Sequence, residues 1–133
     1  MNLDDDDTVD ELPARPRQVM PAADRDLLEL AARAIGAVQV EDVEGEAWVT
    51  VHFSDGTVVH SWNPLMFYND TFELAADLGL QVCPVARTAR GEACSAVGDC
   101  SGRRLSEVTG SSNVRAATAR AVVIAAAGIG RDM

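Results

Sequence analysis

Lysine is absent from this 133-residue chain, and all 11 basic residues are arginine. With the abundance of alanine, that usage points to a GC-rich coding genome. It also leaves the chain able to make bidentate contacts with carboxylate or phosphate. No apolar run is long enough to cross a membrane. The basic start of a signal peptide is missing, because the N-terminus opens on acids. A cytoplasmic protein is the expectation. Histidines number 2 and cysteines 3. An odd cysteine count without an export signal argues for reduced thiols at Cys83, Cys94 and Cys100. Cys94 and Cys100 would pair only under oxidation. Finally, residues 37–81 contain no basic residue at all.

What is present is acid. The net charge is −10, unevenly spread. Asp4, Asp5, Asp6, Asp7, Asp10 and Glu11 crowd the start, and arginines outnumber acids by one over residues 13–36 and by three beyond residue 81. A duplex-binding protein needs a net basic face, which disfavours direct nucleic-acid binding. A basic protein partner suits the acidic middle better. Its candidate binding residues are Glu41, Asp42, Glu44, Glu46, Asp55, Asp70, Glu73 and Asp77, with Trp48 beside them. Trp48 reads either as an interface anchor or as a ring packed under the first helix or the arm.

The length supports one domain with one modest core. Residues 1–20 read as a disordered or loosely attached acidic, proline-rich arm. Residues 21–133 read as a single α+β domain: a small antiparallel sheet of three to five strands against about three helices. Asp24 or Asp26 is expected to cap a first helix that ends near Gly36. Asp55-Gly56 signals a two-residue hairpin turn between Trp48–Ser54 and Thr57–Asn63. That register pairs Val49 with Trp62 and Val51 with His60. It places Val49, Val51, Phe53, Val58, His60 and Trp62 on the core face. Residues 38–43 suggest a preceding strand. Trp62-Asn63-Pro64-Leu65 then joins the hairpin to a helix, with Asp70 and Glu73 as a capping box and Gly79 as the stop. Leu80–Val85 alternates like a strand, and Pro84 suits an edge. A long hairpin or mobile loop is expected over residues 86–112. Asn113 or Ser112 caps a long last helix to about Ile129, weakened at its end by Gly128 and Gly130.

No catalytic constellation stands out, and no cofactor is implied. The hairpin register puts His52 and His60 on opposite faces, which argues against a shared metal ion. His60 is expected in the core, and His52 toward solvent. Cys83 with His60 is the sharpest enzyme hypothesis, but nothing local activates the thiol. Cys83 reads more simply as a small buried apolar residue. Gly98-Asp99-Cys100-Ser101-Gly102 lacks the lysine and the following helix of a phosphate loop. Arg87, Arg90, Arg103 and Arg104 flank it as a weak candidate anion clamp.

Three pieces, in order, resemble a family of small bacteriophage and prophage proteins of unassigned function. They are Asp24–Ala32, Trp62-Asn63-Pro64-Leu65, and Ala116–Ala121 through Ile129-Gly130-Arg131. The Asn-Pro block and the helix after it are similar to the NinX-like phage proteins. Met66-Phe67-Tyr68-Asn69 and Thr71-Phe72 depart from the acidic run and Asp-Ala pair of that family. The resemblance implies a phage accessory gene and no particular activity. The leading expectation is a non-enzymatic protein that binds a basic surface of a host or phage protein. One form of this is blocking a nucleic-acid site of a defence complex. A cysteine-dependent enzyme and a structural homo-oligomer are the alternatives.

Overall fold

A computed structural model describes residues 20–85, 93–111 and 113–133. Of the acidic arm only Met20 falls among them. The elements in order are α1 (Ala22–Ala34), β1 (Ala37–Asp42), β2 (Val49–Phe53), β3 (Val58–Trp62), α2 (Tyr68–Leu78), β4 (Gln81–Val85), β5 (Ala93–Gly98), β6 (Arg104–Ser111) and α3 (Val114–Arg131). The fold is α+β. Its strands form two antiparallel sheets, β1-β2-β3 and β4-β5-β6, rather than one. Pro84 lies on β4, an edge strand of the second sheet, as expected. The stretch after residue 92 is a long hairpin, with Gly102 in the left-handed region at its turn.

α3 holds the layers together. Its small side chains leave it buried on most of its circumference. It packs on α1, on α2 and on all three strands of the second sheet. The core joins Leu28, Ala31 and Ala32 of α1, Val49, Val51 and Trp62 of the first sheet, and Leu74 of α2. Ala75 of α2, Val97 of β5 and Ala121, Val122, Val123, Ala125 and Ala126 of α3 complete it. Gly130 is a contact point here. A Cβ on it would sit 1.9 Å from the Leu30 carbonyl oxygen of α1. The glycine lets the two backbones touch, so it does more than weaken a helix end.

The first hairpin departs from the expected register. Phe53 N–H bonds to the Thr57 carbonyl, so Ser54-Asp55-Gly56 is a three-residue loop with Gly56 at φ 92°. Asp55 Oδ1 accepts from Thr57 N–H at 2.9 Å, which pulls its pKa below the usual carboxylate range. The extra loop residue turns Val59 toward the core opposite Val51, and leaves Val58 and His60 exposed. A second irregularity follows at Ser61, held at φ 56°. It restores the phase, so Trp62 still pairs with Val49 and is buried. Two one-residue shifts cancel across the hairpin.

Two helix starts also differ. α1 begins at Ala22 with Pro21 before it and no side-chain cap. Asp24 instead reaches Arg120 of α3, at 3.1 and 3.3 Å. α2 begins at Tyr68, again uncapped. Asp70 turns back to accept from the Asn63 N–H at 3.0 Å. The Asn-Pro block explains this. Asn63 is buried; its side chain donates to the Ala47 carbonyl and accepts from Leu65 N–H at 2.9 Å. Its carbonyl accepts from Met66 and Phe67. The Thr71 hydroxyl bonds back to the Pro64 carbonyl. Every polar group of Asn63 is thereby used, and the strand-to-helix corner is rigid. Three expected caps do hold. Gly36 and Gly79 end α1 and α2 at positive φ, and the Asn113 side chain accepts from Arg115 and Ala116 N–H.

Candidate functional site

The expected acidic residues do not form one surface. The end of β1 and the link to β2 gather three of them around one cleft. Asp42, Glu44, Glu46 and Trp48, with Met20 and Arg25, line a cleft of about 220 Å³. Glu41 lies alongside on β1. The charge of this corner is partly offset. Arg25 donates to Asp42 at 2.6 Å and to Glu29 at 2.7 Å. Glu41 meets His52 Nε2 at 2.9 Å. Trp48 is half-buried, its ring tilted against Phe67 with centroids 6.1 Å apart. It is a packed ring that lines the cleft, not a free-standing anchor.

The other acids stand elsewhere. Asp55 is at the hairpin tip. Glu73 and Asp77 are exposed on α2. Asp70 is tied to Asn63, and partial burial raises its pKa against the lowering effect of that bond.

The alternatives find little geometric support among the described residues. Cys83 is exposed on β4, not buried as expected, and His60 is exposed on β3. Their strands belong to different sheets. Cys94 and Cys100 are free. His52 and His60 both lie toward solvent, so the opposite-face argument against a metal falls. No group of three His, Cys, Asp or Glu among the described residues is placed to hold an ion. Arg87 and Arg90 lie outside the described residues. Arg103 and Arg104 are exposed, and Arg104 pairs with Glu107 at 3.1 Å. The Gly98–Gly102 stretch is a tight turn. Asp99 Oδ1 accepts from Ser101 N–H, Ser101 Oγ and Arg103 N–H. The Ser101 hydroxyl is the main cause of its lowered pKa.

A cavity of about 640 Å³ lies between α2 and α3, floored by Leu80 and Val82. Sequence reasoning missed it. Tyr68 and Phe72 stand at its mouth, 49% and 68% exposed. Arg115, at the start of α3, lies over the Tyr68 ring with its guanidinium carbon 4.8 Å from the centroid. The available signal was the i, i+4 spacing of Tyr68 and Phe72, off the stripe made by Thr71, Leu74 and Leu78. The facing wall comes from a helix over forty residues away in sequence, and no local pattern announces it.

Comparison with protein-family models, with curated proteins and with solved structures gives no match. No helix among the described residues is long and apolar enough to cross a membrane.

Proposed function

We propose that this chain is a phage-encoded accessory protein that acts by binding, not catalysis, and that its partner is a protein with a basic surface. The contact is the corner between β1 and β2. One observation carries this reading: Asp42, Glu44, Glu46 and Trp48 converge on a single cleft. Carboxylates around an aromatic ring suit an arginine- or lysine-bearing loop, with the ring supplying contact area and the acids supplying orientation. The net charge of −10 adds long-range attraction for a basic partner and repels nucleic acid. Masking the nucleic-acid site of a host defence complex is the concrete form of the proposal. The phage origin rests on the Asp24–Ala32, Trp62–Leu65 and Ala116–Arg131 pieces.

The test is a tagged pull-down from infected host cells, at low and at high salt. Wild type, Glu44→Lys, Trp48→Ala and a form lacking residues 1–20 serve as baits. The expected result is a partner released by salt and lost with Glu44→Lys. A partner retained at high salt and indifferent to Glu44→Lys refutes the electrostatic contact.

A further inference from the structure

The α2–α3 cavity lies apart from the acidic corner, and its chemistry calls for a different ligand. We propose that it binds an amphiphilic anion: a small molecule with an apolar body and a single carboxylate-type head. The head meets Arg115, and the body lies against Ala75, Ala76, Leu80, Val82 and Val122.

Four observations lead there. The volume of about 640 Å³ falls in the range of small-molecule sites, roughly 300–1,000 Å³. Most of the wall is alanine, valine, leucine and aromatic ring. Its two threonines have little left to offer. Thr71 directs its hydroxyl to the Pro64 and Phe67 carbonyls, and Thr118 directs its own to Ser95 Oγ at 3.2 Å. Apart from the Tyr68 hydroxyl, the donors left to a ligand are those of the Arg115 guanidinium.

That guanidinium is the decisive feature. Arg25, Arg33, Arg104 and Arg120 each pair with a carboxylate. Arg115 pairs with none among the described residues; Arg103 and Arg131 share that condition, but only Arg115 lines the cavity. It rests on the Tyr68 ring, which fixes its position without neutralising it. The first turn of α3 carries no acid either. A cation at the mouth of an apolar cavity selects for a ligand with one negative end. A nucleotide, with several charges and a polar sugar, would find a single cation and many unmet polar groups. The inference stands independently of the acidic corner.

Calorimetry on the full chain tests it, with octanoate, decanoate and dodecanoate below their micellar concentrations and the matching alcohols as neutral controls. One molecule is expected to bind per chain. Affinity should rise by up to roughly fourfold per added methylene. The alcohols, and decanoate with Arg115→Gln, should bind about tenfold or more weakly. Arg115→Lys should restore most of the loss. Ala76→Glu, a change at an exposed helix position, should abolish carboxylate binding without unfolding the protein. The proposal fails if carboxylates do not bind, if acid and alcohol bind equally, or if Arg115→Gln has no effect. It also fails if light scattering shows a dimer that Phe72→Asp dissociates, because a second copy then fills the groove.

Discussion

Replacing Gly130 by alanine opposes two physical effects, and the structure decides which wins. Judged by helix propensity alone, Gly→Ala inside a helix is worth up to about 1 kcal/mol of added stability. Gly130 sits near the end of α3, so its share of that gain is smaller. Against it stands the new Cβ, only 1.9 Å from the Leu30 carbonyl oxygen and 2.8 Å from its carbon. Both atoms belong to the α1 backbone and cannot rotate away. The helices must separate by about 1 Å or more at this point, in an interior that packs like a crystal. Overpacking of this kind costs about 1–3 kcal/mol, and a backbone clash belongs at the upper end. We expect Gly130→Ala to destabilise by about 2 kcal/mol net, which lowers Tm by roughly 8 °C in a domain of this size. Gly128→Ala is the internal control. Nothing lies within 4 Å of its added Cβ, so it should keep the propensity gain and melt at the wild-type temperature or above. Thermal unfolding followed by circular dichroism measures both. If Gly130→Ala matches or exceeds the wild type, α1 and α3 do not make the close contact on which the central packing argument depends.

Asn63→Ala should cost about 2–3 kcal/mol in urea unfolding, because it strands the Ala47 carbonyl and the Leu65 N–H at a largely buried corner. Asp70 gives a pH signature. Its folded pKa is raised, chiefly by burial, so its charge opposes folding above that pKa, and the penalty fades as pH falls toward the unfolded value of 3.8. Asp70→Asn removes the titration; melts at pH 7 and pH 4.5 should show wild type gaining on the variant at the lower pH, and a constant difference would contradict the assignment. Ser61 occupies the left-handed region at φ 56°. Ser61→Val should therefore destabilise by about 1–2 kcal/mol while Ser61→Gly is neutral or stabilising, and equal effects in denaturant titrations would argue against the bulge.

The sequence by itself determined the α+β class, three helices with a long last one, and most of the punctuation. Gly36, Gly79 and Asn113 end or begin helices because their cap chemistry is local. The same holds for Asp55-Gly56 as a hairpin and for Pro84 as an edge residue. Each signal depends on one residue's backbone freedom or side-chain oxygen, and needs no distant partner. Only the tertiary structure decided the rest. The register of the hairpin shifted by one residue and shifted back, exposing His60, because core packing drew Val59 and Trp62 inward. Asp24 and Asp70 left their expected capping roles when Arg120 and the Asn63 N–H came within reach through space. The candidate acids were legible as residues, but their scatter into a corner, a hairpin tip and a helix face was not. Of the α2–α3 cavity the sequence offered only the spacing of Tyr68 and Phe72, because its facing walls come from segments far apart in the chain and meet only in the folded molecule. Local chemistry sets where elements start and stop; which side chains are neutralised, exposed or brought together depends on contacts between segments far apart in the chain.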